Sequence, residues 1–206
     1  MLILCWSAKG GSGTTVVAAG LALAHPGPTL LVDLDGDLPA TLGIGEPDLP
    51  GVHDWLTANA PAERLAKLEI PLTERAHLLA AGTPAPAGPG RWEALARHFA
   101  DDPRHVVVDI GTHHPPPALA AAAEHIFVVT RNCYLALRAF VRRPGPATGV
   151  IVVEERGRSY RADDIEHALG VPVAATVLHD PAVARAADAG LLLGRVPGAL
   201  RHALAA

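Results

Sequence analysis

A chain of 206 residues, 50% of them hydrophobic and 18% charged, holds enough apolar material for one well-buried α/β domain. Its 20 glycines and 19 prolines fall below the low-complexity range, and a net charge of −4 argues against wholesale coating of nucleic acid. No apolar run of membrane-spanning length escapes a turn signal or a charge, and no basic-then-apolar leader opens the chain. A cytoplasmic protein without a transmembrane segment is therefore expected.

The first element is the apolar run Leu2–Trp6, followed at once by Ser7-Ala8-Lys9-Gly10-Gly11-Ser12-Gly13-Thr14-Thr15 and a helical segment predicted over Thr14–His25. Strand, glycine-rich turn and helix in that order build a phosphate cradle. Gly10, Gly11 and Gly13 let successive N–H groups point inward, and the helix N-terminus adds the positive end of its dipole. A standard P-loop places a lysine before its Ser/Thr. Here that position is Thr14. The basic residues are almost all arginine, with Lys9 and Lys67 the two lysines, so Lys9 at the loop stands out.

Further strand-like runs fall at Thr29–Leu34, Val106–Ile110, Ile126–Thr130, Val150–Val153 and Val171–Val177. Shorter strands are expected within Leu68–Leu72 and His77–Ala80. Helical segments are predicted at Arg91–Ala100, Pro117–Ala123, Cys133–Arg142, Asp163–Leu169 and Pro181–Ala189. Continuous apolar strands alternating with helices predict a three-layer α/β fold, a mainly parallel sheet with helices on both faces. The stretch 82–90, rich in Pro and Gly, reads as a surface loop inside a single domain, 1–206, and 197–206 as a short helical tail. Cys5 and Cys133 form no C-x-x-C pair and are expected to be buried free thiols.

In open α/β sheets the ligand lies at the carboxyl ends of the strands. Two strand-like runs end there in carboxylates, Val32-Asp33-Leu34-Asp35 and Val108-Asp109. An aspartate at such an end can hold a Mg²⁺ water while the Thr15 hydroxyl ligates the ion directly. Asp35, two residues beyond Asp33, is placed to orient an attacking water. An isolated aspartate at a strand end is ordinarily a cap or turn residue; three elements in the expected order make the functional reading the stronger one.

With these residues in place the chain resembles the MinD/ParA group of P-loop ATPases, whose deviant Walker A motif reads K-G-G-x-G-K-[ST]. Lys9–Thr15 matches it except at Thr14, Asp33-Leu34-Asp35 matches the second motif, and Asp109 matches the Walker B aspartate. The segment His179–Gly190, with Pro181, is similar to the family's segment beside the adenine. The resemblance implies ATP and Mg²⁺ as cofactors, bound by Lys9, Gly10, Gly11, Ser12, Gly13, Thr14, Thr15 and Pro181, with Thr15, Asp33 and Asp109 at the metal. It implies Lys9 and Asp35 as the catalytic pair, Lys9 reaching across a nucleotide-sandwich homodimer. It also implies a role in chromosome partition, septum placement or positioning of an apparatus, with a protein partner or cargo.

Two departures qualify this reading. Thr14 supplies no charge where the family has a lysine, and Glu154 stands where an asparagine commonly reads adenine; a carboxylate offers no donor. A slow or atypical ATPase is the leading expectation, and a scaffold that does not hydrolyse nucleotide is the alternative. A ligase would need a dedicated substrate motif, which the sequence lacks. His113-His114 read as a solvent-facing pair. Arg131, Arg138, Arg142 and Arg143 form at most a modest basic face, leaving nucleic-acid binding weakly supported, and the tail is too small to bind a membrane surface.

Overall fold

Strands buried on both faces need side chains that are apolar in both directions, and the runs beginning at Leu2, Thr29, His105, His125 and Gly149 supply them. In the computed structural model, which describes residues 1–45 and 47–194, they become β1 (Leu2–Trp6), β2 (Thr29–Asp33), β5 (His105–Asp109), β6 (His125–Arg131) and β7 (Gly149–Glu154). Two short strands, β3 (Glu69–Pro71) and β4 (Ala76–Leu79), and a last one, β8 (Val173–Leu178), complete a sheet ordered β3-β4-β2-β5-β1-β6-β7-β8. Among the described strands only β3 runs antiparallel, against β4. The three-layer, mainly parallel α/β fold expected from the sequence is the one observed.

Alternation along β1 divides the core. Leu2, Leu4 and Trp6 face one layer, and Ile3 and Cys5 the other. Against Ile3 and Cys5 pack α1 (Thr14–Ala24) and α2 (Leu38–Leu42). Val17, Ala18, Ala19 and Ala22 of α1 are buried there, small residues that bring the helix close to the strands. On the other side lie α3 (Val52–Thr57), α4 (Pro89–Ala100), α5 (Pro117–Ala122) and the inner face of α6 (Tyr134–Arg142), with Trp55, Phe99, Leu119 and Phe140 filling the layer. Helix α7 (Ala162–Leu169) closes a smaller cluster through Ile165 against Val150 and Val152. Helix α8 (Pro181–Asp188) follows β8 and contacts α2.

Some boundaries differ from the sequence expectation. Strand β8 starts at Val173, because Pro172 offers no N–H to a ladder; its carbonyl instead accepts from Val150 N at 2.9 Å. Helix α4 takes in Pro89 and Gly90, read from sequence as loop, since a proline is tolerated in a helix's first turn. Helices α2 and α3 and a 3-10 turn at Ala62–Lys67 were not expected. Each spans two turns or fewer, too short for an apolar i, i+4, i+7 repeat. Cys5 is buried and Cys133 only half-buried, both free. The helical tail placed at 197–206 lies outside the described residues.

Candidate functional site

The loop after β1 is held open by its own backbone. Ser12 Oγ donates to Lys9 O at 2.7 Å and Ser7 Oγ to the same oxygen at 3.1 Å. Gly11 and Gly13 adopt left-handed conformations, φ 75° and 93°. A Cβ at Gly11 would meet nothing within 4 Å. Glycine at these positions keeps Cβ atoms off the loop's backbone. Helix α1 begins directly from Gly13, with Val17 N donating to Gly13 O at 2.9 Å, and no side chain caps its N-terminus. Its first-turn N–H groups are left for an anion, which suits phosphate.

Two of the expected acidic residues meet at the cradle's base. Strands β2 and β5 pair in register Asp33↔Asp109, and Cys5 of β1 lies opposite Asp109 on its other side. Both carboxylates are fully buried. They are not equivalent. Asp33 Oδ1 accepts from Asp35 N (3.1 Å) and Gly36 N (2.7 Å), and Oδ2 from Leu38 N (3.2 Å). It caps the turn into α2, the structural role an isolated aspartate would have, and keeps little lone-pair capacity for a metal's outer shell. Asp109 Oδ1 accepts from Gly111 N at 3.0 Å, whereas Oδ2 is buried without a hydrogen-bond partner.

Burial dominates the titration of all three carboxylates. It pushes Asp109 up to about 7, with Asp33 and Asp35 adding repulsion and the Thr15 hydroxyl and Gly111 N–H pulling the other way. The Thr15 contact has no ordinary hydrogen-bond geometry, and Oδ2 stays unpaired. Burial likewise raises Asp33 against its three N–H donors. Burial and then the Asp37 charge raise Asp35, while His113 lowers it. A buried oxygen with no donor, beside a threonine hydroxyl and other acids, fits a hydrated cation. Among the described residues no three His, Cys, Asp or Glu side chains converge into a protein-only metal cage. Mg²⁺ needs none, since it retains waters and takes phosphate oxygens.

Of the remaining expected residues, Thr14 is 6% exposed at the start of α1. Lys9 is exposed, its Nζ donating to Gly10 O at 3.3 Å. Pro181 opens α8, where Asp180 caps Ala182 N at 2.7 Å. Between α1 and α8 a cavity of about 90 Å³ is lined by apolar Val16, Val153, Val177 and Val183, with Arg131 and Asp180 at its polar side. Gly13 is the one residue of the Gly10–Thr15 loop among its lining. A larger cavity of about 540 Å³ opens beyond Asp33 toward Asp48 and Thr83, and no residue of the cradle lines it.

The proposed basic face does not assemble as a patch. Arg131 pairs with Glu155, which also binds Arg158 (2.6 Å), and Arg143 donates to Thr112 O at 2.6 Å. Arg138 and Arg142 remain exposed. His113 and His114 are solvent-facing, as expected, but engaged: His113 Nε2 lies 3.6 Å from Asp35 Oδ1, and His114 packs edge-on against Trp6. Asn132 was missed by sequence reasoning. Buried at the end of β6, it accepts from Glu155 N (2.9 Å) and donates to Glu155 O and Tyr160 O, fixing the segment after β7.

A glycine loop between the first strand and first helix, with carboxylates ending two neighbouring strands, defines the P-loop class of α/β folds. No protein-family model matches the chain, and no curated protein matches it by sequence. Solved structures do. A ParA family ATPase from Chlorobium tepidum TLS aligns with TM-score 0.76 at 21% identity, covering 98% of this chain and 95% of that one. The septum site-determining protein MinD from Pyrococcus horikoshii OT3, complexed with Mg-ADP, gives 0.76 at 20%, over 98% and 92%. A Cyanothece McdA variant in complex with ATP gives 0.67 at 16%, over 95% and 89%. The chain has the MinD/ParA-type fold.

Proposed function

We propose that this chain binds Mg-ATP in the Gly10–Thr15 cradle, dimerises around it, and turns it over slowly in a spatial-organisation role such as partition, septum placement or apparatus positioning. One observation carries the reading: an open glycine cradle beneath which the buried Asp109 oxygen lacks a partner, beside Thr15. Thr15 would ligate Mg²⁺ directly, with Asp109 in its outer shell and Asp33 shaping the turn beside it. The base would enter the apolar cavity by Pro181. That a MinD from Pyrococcus horikoshii was solved with Mg-ADP and a Cyanothece McdA variant with ATP supports a nucleotide as the ligand. A protein partner would parallel the MinC:MinD complex of Aquifex aeolicus, and no described helix is long and apolar enough to cross a membrane.

Bound Mg-ATP brings its own charge compensation through the metal, and the chain's residues orient it. The cradle N–H groups fix the phosphates, Lys9 extends over them or to a facing subunit, and Asp35 holds a water. Thr14, in place of a lysine, withdraws a charge-assisted contact of about 1.5–3 kcal/mol. That loss favours slow turnover. It also supports the second reading, a scaffold that does not hydrolyse nucleotide. Phosphate release measured beside sedimentation velocity, with and without Mg-ATP, separates them. ATP-dependent dimerisation with slow phosphate release is expected. Dimers without release, or no response to ATP in either assay, overturn slow turnover and favour the scaffold.

A further inference from the structure

We propose that the groove between α4 and α5 docks a short amphipathic helix of a partner protein, apolar where it enters and carrying one cation and one carboxylate a turn apart on its flank. This docking is independent of the nucleotide reading, since no residue of the Gly10–Thr15 cradle lines the groove. The groove is a cavity of about 890 Å³, larger than either cavity described above.

The local sequence keeps it open. Helix α5 is held to the sheet by Leu119, which is fully buried, and the rest of Pro117–Ala122 is proline and alanine. Leu95 and Phe99 anchor α4 in the same layer. The walls that face each other include Ala96 of α4 and Ala118 and Ala121 of α5, beside the broad ring of Trp92. Walls this short leave the bulk to be supplied by the occupant. Helices that bind in grooves do so through large apolar side chains at i, i+3 or i+4 and i+7. Helix α4, with 12 residues, offers a wall about 18 Å long, which matches such a segment. Of the three tryptophans, Trp6 and Trp55 are buried and Trp92 is half-buried, the kind of aromatic on which docking energy concentrates.

Charge selects the occupant. Glu93 and Arg97 line the same groove and both are exposed. Four apart, with the glutamate first, they would ordinarily pair along the helix. Among the described residues neither joins an ion pair. Opposite charges one turn apart beside an apolar groove match a helix carrying the complementary pair, and disfavour one carrying two like charges. An isologous contact with a second copy of this chain would set the hollow against itself and fill neither.

The test uses synthetic helical peptides with leucines at i, i+4 and i+7, flanked by a pair four apart: lysine and glutamate, two lysines, or two glutamates. Docking is read by calorimetry and by protection of Trp92 fluorescence from acrylamide. The parent should bind the mixed peptide saturably with Trp92 protected, and the like-charged peptides about tenfold more weakly. Arg97→Glu should take the two-lysine peptide best, and Ala121→Glu should bind none, with melting curves unchanged because both positions are exposed. No saturable binding of the mixed peptide, equal affinity for all three, an order unmoved by Arg97→Glu, or binding that survives Ala121→Glu overturns the proposal. Nucleotide-free dimers of the parent in sedimentation that Ala121→Glu dissociates would put a second copy in the groove, and overturn it as well.

Discussion

Asp109→Asn should make the nucleotide-free protein more stable and the nucleotide-bound protein less so. Burial holds the Asp109 carboxyl at about 7 against an ordinary 3.8. Below both values the group is protonated, folded or unfolded, and costs nothing. As pH rises the unfolded chain ionises first, so stability is lost progressively and the full penalty stands above the folded value. It is on the order of 4 kcal/mol near pH 8 and about half that near pH 5.5. An asparagine never carries the penalty. Its oxygen can keep the Gly111 N–H bond, and its amide can face the Thr15 hydroxyl. Melting followed by circular dichroism, without nucleotide, should show the variant more stable by several degrees near pH 8, the gap narrowing toward pH 5.5. With Mg-ATP added, the parent should gain stability and the variant much less. A variant that melts lower near pH 8, or a gap that ignores pH, would refute this account of the buried oxygen.

Gly13→Val places a β-branched side chain at φ 93° at the mouth of the cradle, and should abolish nucleotide binding in a calorimetric titration while the far-ultraviolet spectrum is kept. Lys9→Ala should weaken Mg-ATP binding about tenfold and ATP-dependent dimerisation with it, whereas Thr14→Lys should strengthen binding by roughly ten- to a hundredfold, both read by titration and sedimentation. Arg104 bridges Glu69 (2.7 Å) and Asp102 (2.7 Å), two carboxylates that are nearly buried. Arg104→Ala should therefore cost about 2–3 kcal/mol in urea unfolding at neutral pH. Burial raises Asp102, but the Arg104 guanidinium outweighs it and holds the carboxyl below its ordinary value. That stabilisation exists above the ordinary carboxylate range and is lost as pH falls through the folded value, so the gap between parent and variant should close in acid.

The sheet and the cradle were legible because their signals are local. Strands such as Val106–Val108 are apolar in every position, and Gly10-Gly11-Ser12-Gly13 announces its backbone directly. The acidic ends of β2 and β5 were found by position after a strand, but their inequality was not. That Asp33 spends its oxygens on Asp35, Gly36 and Leu38, while Asp109 keeps one free, depends on how the chain turns into α2. The short helices α2 and α3 escaped because fewer than two turns cannot repeat an apolar pattern. The Asp35–His113 contact and the Arg131–Glu155 pair join segments distant in sequence, brought together by the order of strands, and no local pattern encodes them.

Calorimetric titration of the parent chain with ATP, in the presence of Mg²⁺ and after its chelation, tests the central claim most directly. Saturable binding of a single ATP per chain, weakening strongly when Mg²⁺ is removed, is expected. No heat with ATP, ADP or GTP under either condition would contradict it.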